Sequence, residues 1–184
     1  MPKGSQRDRL RDIVATKSLK KGGPFTLASG AVSNYYFNLK ETTLDPEGSL
    51  LIADLILQAL ADLPCDYVGG LEMGAVPIAA CVAMRSAQIG KPMPAFYVRK
   101  EVKGHGTKRR IDVDLRKGAR VAVVEDVTTS GGSALVAIEA VREIGCVPAA
   151  VVAVLDREEG ASAKFAAAGI PFRALLTAGD FDLG

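Results

Sequence analysis

From residue 66 onward the sequence repeats one pattern: a short apolar run, a loop rich in glycine or charge, and usually about three turns of helical spacing. The runs are residues 66–70, 95–99, 120–127 and 149–155, and the helical stretches are 76–88, 133–144 and 161–168. Gly90, Gly145 and Gly169 stand just past those stretches, where a left-handed residue ends a helix with least steric cost. VAVV (121–124) and AAVVAVL (149–155) have no polar alternate positions, so both faces of these strands must be covered. That requirement points to a parallel sheet flanked by helices, an α/β fold class.

The first 45 residues or so differ in style. Leu10, Ile13, Val14 and Leu19 among charges predict an amphipathic helix over 5–19. Residues 25–39 read as two short strands about a turn at Ser29–Gly30, a small N-terminal hood on the sheet. Asp45, Pro46 and Glu47 supply an N-cap, a first-turn proline and an early carboxylate for a helix running to about residue 63. With 184 residues, 48% of them hydrophobic, one core is affordable and residues 1–184 are read as a single domain.

Charge and cysteine content narrow the function classes. A net charge of +2 excludes a surface that is wholly a nucleic-acid or membrane patch, so any basic site must be local. Cys65, Cys81 and Cys146 are odd in number and far apart, which argues against a disulfide framework or a CxxC metal clip. With His105 the single histidine, a metal, if used, should be a hard cation. No apolar leader precedes the charged N-terminus, and the most apolar stretches fall short of the roughly 20 residues a membrane span needs. A cytoplasmic location is the expectation.

In an open parallel sheet, ligands sit beyond the carboxyl ends of the strands. The richest such place is VAVVEDVTTSGGSALVAIEAV (121–141), where a buried strand ends in two acids, a Thr/Ser/Gly loop follows, and a helix begins. Backbone N–H groups of Thr128, Thr129, Ser130, Gly131, Gly132 and Ser133 can wrap a phosphate at the positive end of that helix. Glu125 and Asp126 would repel a phosphate, so they should face sugar hydroxyls or a hard cation; a ribose 5-phosphate satisfies both halves. The bland reading, a turn with an N-cap beside a solvated strand end, does not explain why both features follow one wholly apolar strand.

Three further strand ends add to it. RKEVKGHGTKRR (99–110) carries Arg99, Lys100, Lys103, His105, Lys108, Arg109 and Arg110 against one acid, and Gly104 and Gly106 disfavour helix. A cationic loop there suits a lid over a polyphosphate, although a solvated basic loop or an RNA contact reads equally well from charge alone. GGLEMGAVPIAA (69–80) offers glycines through which amides could meet an anion, or a plain connector. In LDREEG (155–160), Arg157 could pair with a ligand carboxylate, or with Glu158 or Glu159.

At VVEDVTTSGGS the chain resembles the 5-phosphoribosyl 1-diphosphate (PRPP) signature of type I phosphoribosyltransferases. FTLASGAVSNYYFNLK, FYVRKEVKGHGTKRR and LDREEGA narrow the resemblance to the orotate phosphoribosyltransferase family, in the family's order and spacing from about residue 10 to the last strand. The resemblance implies transfer of phosphoribosyl from PRPP to orotate, giving orotidine 5′-monophosphate and diphosphate in pyrimidine biosynthesis, with Mg2+. It also implies a homodimer with shared active sites and no nucleic acid or membrane partner.

Carried over by motif, Glu125, Asp126, Val127 and Thr128 to Ser133 bind the ribose and its phosphate. Arg99, Lys100, Lys103 and His105 meet the diphosphate; Lys103, His105 and Asp126 are the catalytic set; Tyr36, Phe37, Thr129 and Arg157 line the orotate pocket. Many bacterial members have a lysine where this chain has Ala28, and a Tyr-Lys pair where it has Met73 and Gly74, so backbone amides around residues 72–75 would serve instead. A purine phosphoribosyltransferase would share residues 121–133 without the RKxxKxHG text, and an RNA-binding regulator could reuse the fold with the basic loop as its surface.

Overall fold

A computed structural model of the chain describes residues 5–26, 32–101, 109–111 and 113–184. Helix α1 (Gln6–Ile13) opens it, with Ser5 as N-cap in a reciprocal capping box with Asp8. The amphipathic helix expected over 5–19 is shorter than its spacing suggests: the chain leaves α1 through a π-type turn, Val14–Ser18, and Leu19 already begins β1 (Leu19–Thr26). β1 pairs antiparallel with β2 (Val32–Phe37) as a two-stranded ribbon, its register jumping between Lys21 and Phe25. The expected turn at Ser29–Gly30 lies outside the described residues.

A short helix α2 (Lys40–Thr43) leads to α3 (Pro46–Ala59), whose Asp45 side chain accepts from the Glu47 and Gly48 amides as the sequence predicts. The helix ends near Leu60 rather than 63. There Arg173 reaches the Ala59 carbonyl while gripping Asp62 at 2.6 and 2.8 Å. Strands β3 (Tyr67–Leu71), β4 (Ala95–Val98), β5 (Arg120–Thr128), β6 (Val147–Asp156) and β7 (Phe172–Thr177) then alternate with α4 (Ala75–Gln88), α5 (Gly132–Glu143) and α6 (Ala161–Ala167). Gly90, Gly145 and Gly169 all have positive φ, as helix-ending glycines should.

The five strands form one parallel sheet in the order β4-β3-β5-β6-β7. Along β5, Ala122 and Val124 enter one apolar cluster with Ile52, Ile56, Ile78 and Val82 of α3 and α4, while Val121 and Val123 enter the other with Ile138 and Val141 of α5 and Phe165 of α6. Such burial on both faces is why the strand reads as unbroken apolar text. A bulge lets Pro148 sit at the start of β6, where Val121 faces it and the next pair is Ala122 with Ala150. Among the described residues no helix is long and apolar enough to cross a membrane.

Candidate active site

The strand order reverses direction between β3 and β5, the topological switch point at which open α/β sheets bind ligands. The loops after β3 and β5 meet there at close quarters. A side chain on Gly74 would place its first carbon 2.5 Å from Asp126 Oδ1, so the turn after β3 lies directly against the acid pair and a larger residue there would require the Asp126 side chain to shift. The Glu72–Met73 peptide in that turn is cis. Asp126 is half-buried and accepts from the Val127 amide at 2.8 Å.

Glu125 is the buried member of the pair, 6% exposed, and its Oε2 has no hydrogen-bond partner. Burial first, then the neighbouring Asp126 charge, pushes its carboxyl up to about 9, with Lys100 pulling the other way. The folded value lies above the ordinary 4.5, so the buried acid is tolerated fully below that pH and destabilises the fold progressively as pH rises through about 9. Glu125→Gln keeps the shape and abolishes the charge. The substituted protein should melt above wild type by about 5 °C or more at pH 8 and match it near pH 4. Equal melting points at pH 8 would mean the acid is not held neutral.

Beyond the acids, Gly131 takes φ +77°, and a side chain there would also strike the Phe165 ring at 2.8 Å. This left-handed residue starts α5 with no side-chain cap, leaving the helix's first amides for another acceptor. Ser130, Gly132 and Ser133 are exposed around them, and Thr129 is half-buried. The Thr128 side chain is buried and its hydroxyl unpartnered.

β6 delivers Asp156 beside Thr128, and Arg157 follows, its amide donating to the Thr128 carbonyl at 2.9 Å. The Arg157 side chain is 5% exposed; Glu159 Oε1 lies 2.9 Å from its Nε but off the N–H direction, so that buried nitrogen makes no hydrogen bond. Four buried side-chain polar atoms lack a partner among the described residues. Three of them, on Glu125, Thr128 and Arg157, stand at the carboxyl ends of β5 and β6, and native interiors rarely leave such atoms unpaired without a ligand in mind.

The cationic segment after β4 is described only at its stem. Val98 bridges to Ile111, and the Arg99 amide donates to the Arg110 carbonyl at 2.8 Å, so the chain leaves and re-enters the sheet at one place. Arg99 bonds the Tyr97 hydroxyl at 3.0 Å, and the Lys100 amide donates to Glu72 Oε1 at 3.0 Å, tying this stem to the turn that carries Gly74. Lys103 and His105 lie outside the described residues, as does Ala28.

One expected contact changes character. Adjacent residues of a strand point to opposite faces, so Tyr36 and Phe37 cannot both offer rings to one pocket. Phe37 is 4% exposed and packs against Tyr35 and Phe181, while Tyr36 lies outward against Phe25. A pocket contact from Phe37 is therefore left to its backbone, and the ring that covers Arg157, at 4.7 Å, belongs to Tyr35. Neighbouring aromatics gave no sequence signal to choose between them.

No protein-family model matches the chain. It is 50% identical over 185 residues to an orotate phosphoribosyltransferase from Rhodopseudomonas palustris (strain BisB18), covering 98% of each chain. Orotate phosphoribosyltransferase from Mycobacterium tuberculosis H37Rv, in a crystal structure with Fe(III) dicitrate, superposes with a TM-score of 0.85 at 38% identity, covering 96% of this chain and 98% of that one. The same M. tuberculosis enzyme in complex with PRPP gives a TM-score of 0.80 at 35% identity with the same coverage.

Proposed function

The chain belongs to the orotate phosphoribosyltransferase family, and from that premise we propose how its residues carry phosphoribosyl from PRPP to orotate. Orotidine 5′-monophosphate and diphosphate are the products, a step of pyrimidine biosynthesis. The observation that carries the site assignment is that three buried polar atoms without a hydrogen bond, on Glu125, Thr128 and Arg157, lie at the ends of the adjacent strands β5 and β6. Residues 1–184 act as one unit, with the N-terminal ribbon as its hood.

The uncapped start of α5 and the loop Thr128 to Ser133 take the 5-phosphate, the Gly131 conformation turning its amides inward. Glu125, Asp126 and Val127 face the ribose. Arg99 and Lys100, joined by Lys103 and His105, meet the diphosphate as its bond to the sugar breaks and the electron pair leaves with it. Arg157 pairs with the carboxylate of orotate, whose ring nitrogen forms the new bond to the sugar carbon and gives up its proton to the departing diphosphate; Thr129 and the backbone at Tyr36 and Phe37 complete that pocket. No enzyme nucleophile is needed.

Among the described residues no group of three His, Cys, Asp or Glu side chains is gathered that could hold a metal ion, so Mg2+ would have to be shared with the bound substrate. Asp126, the more exposed acid, is the carboxylate available to it, and bound Mg2+ would supply charge neutralisation on the leaving diphosphate. A cytoplasmic location fits a chain with these three free cysteines.

A two-fold dimer with shared sites is part of the same reading. Leu50 and Met84 stand exposed beside a groove between α3 and α4, an apolar face for a partner subunit to cover. Complementation in an orotate-consumption assay with PRPP and Mg2+ tests it. Lys103→Ala and Asp126→Asn chains should each be poor alone, but if Lys103 acts on the partner's PRPP loop, random reassortment makes about half the dimers mixed and half their sites native. About a quarter of wild-type activity should return. No recovery after proven subunit exchange would reject the sharing, and turnover of a purine base instead of orotate would overturn the substrate.

A further inference from the structure

Arg157 is held in a way that pairing with a ligand carboxylate alone does not explain. Its guanidinium is almost wholly buried, with the Tyr35 ring 4.7 Å away across one face and Glu159 2.9 Å from Nε. Those are two separate constraints. The ring attracts the cation from the aromatic side, and the carboxylate attracts it from the Nε side, so the guanidinium is held between two groups.

Both constraints are themselves braced by the C-terminal turn. Tyr35 packs edge-on against Phe37 at 5.7 Å, and Phe37 against Phe181 at 5.2 Å, so the ring over Arg157 is backed by residues from the far end of the chain. On the other side, the Glu158 amide donates to Asp156 Oδ1 at 2.9 Å, and Glu158 Oε2 accepts from the Gly179 amide at 3.1 Å. Glu158 holds φ +61°, a conformation non-glycine residues adopt only when their surroundings enforce it. The loop that carries Arg157 and Glu159 is thus pinned at three successive residues.

Resting on the reading that Arg157 receives the orotate carboxylate, we propose that Tyr35 and Glu159 are positioning residues. They hold the guanidinium between a ring contact and an ion pair, so that its terminal nitrogens stay available to a planar carboxylate. A planar carboxylate demands a planar, oriented fork, and an unclamped arginine spends its binding free energy on being ordered. The clamp acts on the base and leaves the phosphoribosyl half of the site alone.

The test separates KM for orotate from KM for PRPP. Tyr35→Leu removes the aromatic face and keeps an apolar side chain against Phe37; orotate KM should rise about tenfold with PRPP KM within about twofold of wild type. Tyr35→Phe restores the face and should return orotate KM to near the wild-type value. Glu159→Gln, a change at a partly exposed side chain that leaves the core intact, should raise orotate KM about fivefold with an unchanged melting point. Equilibrium titration with orotidine 5′-monophosphate should show the same losses without turnover. Unchanged orotate KM in both Tyr35→Leu and Glu159→Gln, or a fall in KM for Glu159→Gln, would overturn the clamp. If Arg157→Ala itself leaves orotate KM untouched, the underlying assignment of Arg157 fails instead.

Discussion

Replacing Lys103 by alanine is expected to lower kcat by roughly 10²-fold or more, with the melting temperature unchanged to about 1 °C. The loss is assigned to the transition state: departure of diphosphate concentrates charge on its bridging oxygen, and a preorganised cation at that point is worth far more than in bulk water. KM for PRPP should change less than kcat, because Arg99, Lys100 and the α5 start still hold the ground-state molecule. Stability should be spared because a lysine, unlike an apolar residue, is seldom part of a buried core. Steady-state kinetics beside a thermal melt decide it. Near-normal kcat would remove this lysine from the chemistry, whichever subunit it serves.

Arg157→Ala should raise KM for orotate by about 30- to 100-fold. Hydrogen bonds to charged groups contribute roughly 1.5–3 kcal/mol, and at 1.4 kcal/mol per factor of ten this spans the stated range. Losing them also strands the substrate carboxylate in a dry pocket. KM for PRPP should move by no more than about threefold, because Arg157 stands after β6 while the phosphate loop stands after β5. Arg157→Lys should not rescue, since an ammonium has no planar fork to offer. Equal losses for both substrates would instead mark Arg157 as a general brace of the two strand ends.

These two substitutions also show where sequence reading reached and where it stopped. The layered fold was legible because burial on both faces writes unbroken apolar text into β5 and β6, and because positive-φ glycines close the helices. The loop proposed for the phosphate, Thr128 to Ser133, could be singled out because its parts are contiguous along the chain. The start of β1 was not: Leu19 continues the helical spacing of Leu10, Ile13 and Val14, and Lys20 to Pro24 alternate in no strand-like way. They are extended only because Phe37, Tyr36 and Tyr35 pair with Leu19, Lys20 and Lys21. The covering of Arg157 was hidden for a related reason. Three aromatics in succession at 35–37 carry no parity signal, and a shift of one residue sends every ring to the opposite face. Tyr35 and Arg157 meet only in the folded molecule.

The acids and Arg157 are rooted in β5 and β6, paired along most of their length and covered by helices on both faces, whereas Tyr35 arrives on a ribbon of two strands. A central strand pair opens only when the whole domain does, while an isolated two-stranded ribbon is marginal by itself and depends on what it packs against. Amide exchange should therefore be slowest along β5 and β6 and faster along the β1–β2 ribbon. The strands that would hold the sugar phosphate and Arg157 are thus the rigid frame, and the ribbon that brings Tyr35 over Arg157 is the part that can open, admitting and releasing a planar ligand without disturbing the frame below.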